Sequence, residues 1–222
     1  MPPSRRTFAL AVALAGAALI GADIADARAF VYLFKPLATG LVLASALVAA
    51  PRPSAAYRAL IAAGLVLSLV GDVLLMLPAN LFAAGLGAFL VAHVFYVSAF
   101  ATHGGGRSSS RMAILPFAGI AATMLLWLWP ALGALRIPVA LYIGVIATMA
   151  WQGWARFLRV RDASSRQAAW GALFFLTSDG VLAASRFRGP LADRSTVTIA
   201  VLGTYLAAQW LIASSVGDEP RA

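Results

Sequence analysis

The chain of 222 residues is 62% hydrophobic and only 11% charged, with a mean hydropathy of +0.87; this excludes a soluble globule and reads as an integral membrane protein. A net charge of +9 would point to nucleic acid in a soluble protein, but the arginines fall between apolar runs, where they act as topology signals, and no nucleic-acid partner is expected. Cysteine is absent and only two histidines are present, which excludes disulfides, thiolate catalysis and Cys-ligated metal sites.

Walking from one polar break to the next gives about eight apolar spans, each near the ~20 residues that a bilayer requires. They lie near 7–22, 31–50, 57–77, 81–101, 111–129, 134–154, 167–184 and 196–215. The breaks are Pro51/Pro53, Pro78, GGGRSSSR with His103 beside it, WPALGALRIP, RFLRVRDASSRQ and RFRGPLADRS. GGGRSSSR lacks the strand-to-helix setting of a phosphate-binding loop and reads as a connector. The expected fold is all-α: a polytopic membrane helical bundle in which residues 1–222 form a single transmembrane domain with no separate soluble part.

Alternate connectors set the orientation. One side carries Arg5, Arg6, Arg52, Arg58, Arg107, Arg111, Arg156, Arg159, Arg161, Arg166 and Arg221, eleven in all, and the other Arg28, Arg136, Arg186, Arg188 and Arg194, five in all. The positive-inside rule then places both termini in the cytoplasm, with the RFRGPLADR loop running against the trend. The arginine- and alanine-rich composition suggests a GC-rich bacterial gene, hence the bacterial cytoplasmic (inner) membrane. PSRR, an apolar run and then ADARA also resemble a secretory signal with a small-residue cleavage site. We read an uncleaved first helix instead, because the apolar run is long for a signal core and Asp23, Asp26 and Arg28 suit an interfacial loop.

Asp72 in SLVGDVLLML and Asp179 in FFLTSDGVLAA lie deep inside apolar spans. A carboxyl group in hydrocarbon costs about 2.5 to 3.5 kcal/mol on insertion scales, so each marks a functional site by default. Both spans run in the same direction, and each aspartate precedes the expected outer end by about five residues, or roughly 7–8 Å at 1.5 Å per residue. Lys35, the only lysine, falls in the same layer from the second span. Tyr142 enters the sixth span from that side, and His93, Tyr205 and Gln209 lie nearer the midplane. Together they outline a polar pocket opening outward.

The halves of the chain echo each other. Lys35-Pro36 corresponds to Ile137-Pro138, Gly71-Asp72 to Ser178-Asp179, and FLVAH (89–93) to YLAAQ (205–209). A parallel repeat of two four-helix halves would set the aspartates on facing helices around a central cavity.

The Lys35-Pro36 pair, GLVLSLVGDVLLMLP with Gly71-Asp72, FAAGLGAFLVAHVFYVSAF with Ala92-His93 and Tyr96, GALFFLTSDGVLAASRF with Ser178-Asp179, and a closing helix with Tyr205 and Gln209 follow one another in a familiar order. Over nearly its whole length the chain resembles the YhhN family of membrane proteins, which includes the lysoplasmalogenases. The resemblance implies an eight-helix enzyme acting on a membrane lipid: it would cleave the vinyl ether bond of a lysoplasmalogen, releasing a fatty aldehyde and a glycerophospho-alcohol such as glycerophosphoethanolamine or glycerophosphocholine.

Vinyl ether hydrolysis suits these residues. Protonating the carbon beta to oxygen gives an oxocarbenium ion, water captures it as a hemiacetal, and the hemiacetal collapses to aldehyde. One protonated carboxylic acid and one carboxylate are wanted, and Asp72 and Asp179 supply them as the catalytic pair. The sequence leaves open which is the acid. Lys35, His93, Tyr96, Tyr142, Ser178, Tyr205 and Gln209 are the candidates for holding substrate and water. No cofactor is expected, and His93 with two aspartates is a thin set for a metal.

Each residue has a plainer alternative. The aspartates would serve as polar glue between helices, Lys35 would snorkel to headgroups, His93 would be a packing histidine, and the tryptophans, including Trp127 and Trp129, would form interfacial belts. Gly and Ala in GLVLASALVAA would simply permit tight helix packing. A proton-coupled transporter of a small molecule or lipid is the rival function, since paired intramembrane acids also describe carriers; against it, no span carries a broken-helix signature. The sequence is silent on oligomeric state.

Overall fold

A computed structural model describes residues 4–51, 53–79, 81–102 and 113–217. Eight α-helices succeed one another among them: α1 (Arg5–Ile24), α2 (Arg28–Val48), α3 (Ala55–Met76), α4 (Phe82–Thr102), α5 (Ile114–Leu128), α6 (Arg136–Val160), α7 (Ala163–Arg188) and α8 (Arg194–Ser214); eight segments are long and apolar enough to cross a membrane, the fifth being Ile114–Ala131, α5 with the turn that follows it. Two short 3₁₀ turns, Trp129–Ala131 and Gly133–Leu135, join α5 to α6. The GGGRSSSR connector and His103 lie outside the described residues, as do Arg52 and Arg221.

Local chemistry explains where several helices begin. Ser4, Ser54 and Asp193 accept from the backbone N–H three residues on, at Thr7, Tyr57 and Thr196. Asp162 and Ser165 form a reciprocal capping box; each cap satisfies an N–H that the first helical turn leaves open. Hydrogen bonds from Thr196 hold the solvent-exposed Asp193 carboxyl below the usual carboxylate range.

The basic RFLRVRDASSRQ segment is more helical than its polarity predicts. α6 continues to Val160, the chain turns at Arg161 in the left-handed region with φ 56, and Asp162 opens α7 at once. Arg156, expected in a connector, is fully buried. Its guanidinium lies 4.7 Å from the centre of the Tyr57 ring and donates to the Tyr57 hydroxyl at 2.9 Å and to Ser164 Oγ at 2.8 Å. Tyr57 in turn meets Ser215 Oγ at 2.7 Å. One end of the bundle is thus closed by a polar knot joining α3, α6 and α7 to the residue after α8.

At the opposite end α7 also overruns its expected limit. Arg186 lies over the Phe82 ring at 4.2 Å and Arg188 over Trp127 at 5.5 Å, while Arg194 reaches Asp26 Oδ1 at 3.2 Å. The arginines that run against the charge trend therefore have local partners: two cover aromatic faces and one pairs with an acid.

The bundle carries its polarity inside. Asp72, His93, Arg156, Gln209, Thr39 and Ser68 are buried, whereas Leu14, Leu115, Leu126 and Ile137 are exposed, the distribution an apolar surrounding favours. α3 packs along α4 and α7 along α8; α1 lies against α2 and α8, and α5 rests mainly on α6. Advancing each helix by four turns the α2–α8 contact into the α6–α4 contact, and both occur. Small residues set the close approaches: a Cβ on Gly71 would lie 2.6 Å from the Phe89 ring and one on Gly171 2.8 Å from Ile212. In GLVLASALVAA the glycine has no such role. A Cβ on Gly40 would meet nothing within 4 Å, because the fully buried face of that stretch is Val42 and Ala46.

Candidate active site

Seven helices, α2 to α8, converge on a cavity of about 130 Å³. Lys35 of α2, Asp72 of α3, Tyr142 of α6, Ser178 and Asp179 of α7 and Tyr205 of α8 all line it, and its remaining walls are apolar, among them Phe82, Leu86, Met124, Ile143 and Phe187. Counted from the helix ends the two acids are not equally deep: α3 ends four residues past Asp72 and α7 nine past Asp179. They share a cavity because α7 extends beyond α3 on that side.

The acids have unlike partners. Oδ2 of Asp72 accepts from Thr39 Oγ1 at 2.7 Å and from the Tyr205 hydroxyl at 2.6 Å, and Lys35 Nζ lies 3.4 Å from Oδ1. Asp72 is thereby surrounded by donors, one of them cationic. Asp179 accepts on Oδ2 from the Tyr142 hydroxyl; among the described residues no cation pairs with it.

Behind Asp72 runs a chain of hydrogen bonds. Tyr96 donates to Gln209 Oε1 at 3.2 Å, Gln209 Nε2 donates to the Tyr205 hydroxyl at 3.0 Å, and Tyr205 donates to Asp72. Every donor points toward the carboxylate, and Ser68 Oγ stands 3.2 Å from the far end at Tyr96. Gln209 and Tyr96 therefore form the second layer behind the wall. His93 is also behind it, fully buried and edge-on to Phe175 at 4.5 Å and Tyr142 at 5.3 Å. Neither of its ring nitrogens has a hydrogen-bond partner among the described residues. Ser178 touches the cavity, yet its hydroxyl is given to the Val201 carbonyl at 3.0 Å, which ties α7 to α8 beside Asp179.

Thr39 escaped the reading of the sequence. It follows Lys35 by four residues, the spacing that puts two side chains on one helix face, so the signal was present beside the lysine. The apolar walls carry no such mark, since Leu and Phe line a cavity or face lipid with the same composition. No three His, Asp or Glu side chains converge as a metal site among the described residues.

A family model described as the YhhN family matches residues 30–216, the stretch that contains every residue of this cavity. Among curated proteins the chain is 36% identical to human lysoplasmalogenase TMEM86B over 76% of this chain and 68% of that protein. It is 32% identical to a lysoplasmalogenase of Mycobacterium bovis over 78% of this chain and 65% of that protein. To the uncharacterized membrane protein YhhN of Escherichia coli it is 29% identical, over 83% and 86% of the two chains. The alignments thus span about two thirds of the two lysoplasmalogenases and most of the Escherichia coli protein. No solved structure matches. With the match running from α2 to the end of α8, the chain belongs to the YhhN family.

Proposed function

We propose that the protein hydrolyses the vinyl ether bond of a lysoplasmalogen within the membrane, with Asp179 as the acid and Asp72 as the carboxylate. The observation that carries this reading is the unequal pairing of two acids on one cavity: Asp72 beside Lys35 at 3.4 Å, and Asp179 beside a neutral tyrosine. A cation favours the ionised form of its neighbour, and a carboxyl group with no cation is suited to hold a proton. The names of the relatives in human and Mycobacterium support the substrate class.

In this reaction Asp179 gives its proton to the vinyl carbon beta to oxygen, and positive charge develops on the ether carbon and oxygen. Asp72 stabilises that cation electrostatically and takes a proton from the water that attacks the ether carbon. The hemiacetal then collapses: Asp72 gives the proton it took from water to the glycerol oxygen as that C–O bond breaks, and the hemiacetal hydroxyl gives its proton to Asp179 as the carbonyl forms. One water is consumed, the products are a fatty aldehyde and the glycerophospho-alcohol, and both acids are back in their starting states. The apolar walls suit the hydrocarbon chain, and Tyr142 and Tyr205 hold the two carboxyl groups in place.

The balance of arginines between connectors supports cytoplasmic termini with this cavity near the outer face, and the arginine- and alanine-rich composition supports a bacterial inner membrane. The decisive experiment is incubation of purified protein with a lysoplasmalogen and with its saturated ether analogue. Aldehyde should appear from the vinyl ether alone; absence of aldehyde from both would overturn the reading.

A further inference from the structure

The proposed hydrolysis sets a fatty aldehyde free in a cavity that also holds an amine. Lys35 is the only lysine of the chain, and it lines the cavity together with both acids. The other polar groups on those walls are committed: the Tyr142 and Tyr205 hydroxyls donate to Asp179 and Asp72, and Ser178 donates to the Val201 carbonyl. None of them is an amine, and the chain has no cysteine. Lys35 is thus the one side chain there whose ordinary chemistry is condensation with a carbonyl.

Its surroundings suit that chemistry in both directions. Asp72 Oδ1 lies 3.4 Å from Nζ, which sets a proton acceptor beside the ammonium group. The Lys35 side chain is only 15% exposed, so a carbonyl on the apolar side of the cavity meets the amine out of bulk water. On its other side Lys35 lines a second cavity, of about 250 Å³, whose walls include Asp23, Asp26, Arg28 and Arg194. A polar space of that size admits water, which undoes an imine.

We propose that Lys35 captures the aldehyde product as an imine, a reversible covalent modification that occupies the site and restrains further turnover. Lys35 passes one proton to Asp72, and the neutral nitrogen bonds to the aldehyde carbon as the carbonyl π pair moves onto oxygen. A second amine proton moves to that oxygen, which gives a carbinolamine. Asp72 returns its proton to the new hydroxyl, which leaves as water while the nitrogen lone pair closes the C=N bond. The sum is ammonium plus aldehyde to iminium plus water, with no oxidant or reductant. The iminium keeps one positive charge beside the Asp72 carboxylate, so the ion pair outlives the condensation. The inference rests on the reading of this cavity as the place of ether hydrolysis, since that reaction supplies the aldehyde.

Cyanoborohydride, which reduces an imine to a stable amine, fixes the adduct for measurement. The detergent-solubilised full chain is incubated with it near neutral pH and with either hexadecanal or a lysoplasmalogen of the same chain, then digested and read by mass spectrometry. The α-amine of the expressed chain is the internal standard: an ordinary α-amine loses its proton near pH ~8 and an ordinary lysine near ~10.4, so without a site the α-amine is alkylated first. In the folded protein the Lys35 peptide should carry the hexadecyl group in about tenfold excess over the α-amine, as proximity within a cavity allows. Unfolding in dodecyl sulfate should reverse the order. Aldehyde release should fall in step with the label, and should recover on dilution when the reductant is left out. Preferential alkylation of the α-amine in the folded chain overturns the proposal with no substitution involved; so does full activity in protein labelled at Lys35. Aldehyde release from the lysoplasmalogen without an adduct at Lys35 removes the capture and leaves the reaction, whereas capture of added hexadecanal without aldehyde release from the lipid removes the reaction and leaves the capture.

Discussion

The Tyr205 hydroxyl lies 2.6 Å from Oδ2 of Asp72, joining α8 to α3 across 133 residues of chain. In the internal echo of the sequence Phe89 occupies the position corresponding to Tyr205, and its ring packs edge-on against Tyr205 at 5.9 Å. One half of the bundle thus provides a hydroxyl where the other provides a bare ring. Asp179 draws its tyrosine from α6 instead. The departure from symmetry gives two similar acids different partners.

If Asp72 is the carboxylate of the proposed reaction, Tyr205→Phe should lower the rate of aldehyde release by about tenfold to a hundredfold, since a preorganised donor to Asp72 is lost and the Gln209 amide is left without its acceptor. Steady-state kinetics on purified protein in detergent would check it. A rate equal to that of the parent chain would remove Tyr205 from the machinery.

Replacing either acid with asparagine should cost at least about a hundredfold in rate, the lower end of what general acid–base catalysis contributes. The amide keeps the size of the side chain, so membrane insertion and detergent-phase monodispersity should persist. Single-turnover aldehyde assays on Asp72→Asn and Asp179→Asn read the first quantity and gel filtration the second. Undiminished activity in both variants would refute the two-acid mechanism.

Gly71→Ala probes packing next to the site. The new Cβ would lie 2.6 Å from the Phe89 ring, and Phe89 is wedged against Phe175 and Tyr205. Overpacking of this kind costs about 1–3 kcal/mol. Thermal unfolding followed by tryptophan fluorescence should show a lower midpoint than the parent. Gly40→Ala, with no neighbour within 4 Å of the added carbon, should leave the midpoint in place.

The chain has no cysteine of its own, which makes its topology simple to test. Leu191→Cys places a thiol in the connector between α7 and α8, at a residue 55% exposed. If basic residues orient the bundle, a membrane-impermeant maleimide should label this variant in intact spheroplasts. Labelling that requires permeabilisation would invert the assignment.

How much was legible in advance differs from residue to residue. Asp72 and Asp179 stand out in any reading, because a carboxyl group in an apolar run is expensive wherever the helix goes. Lys35 and Tyr142 were placed near them by counting from helix ends, and the cavity does gather all four. That counting gave equal depths for the acids only because α7 was ended early, at the first polar residues after Ala184; Arg186 and Arg188 in fact continue the helix and lie over aromatic rings. Arg156 was misplaced for a related reason. A lone arginine in a basic stretch has the composition of a connector whether it meets water or, as here, Tyr57 and Ser164.

Class, helical content, the run of apolar spans and the two anomalous acids followed from the amino-acid sequence alone, because hydrophobicity and the expense of a buried charge belong to each segment by itself. Tertiary structure decided which partners those acids received: Thr39, Lys35 and Tyr205 for Asp72, and Tyr142 for Asp179. The rotation of a helix about its axis and the neighbour it meets depend on side-chain packing between segments distant in the chain. That packing gave one acid a cation and left the other with a neutral hydroxyl.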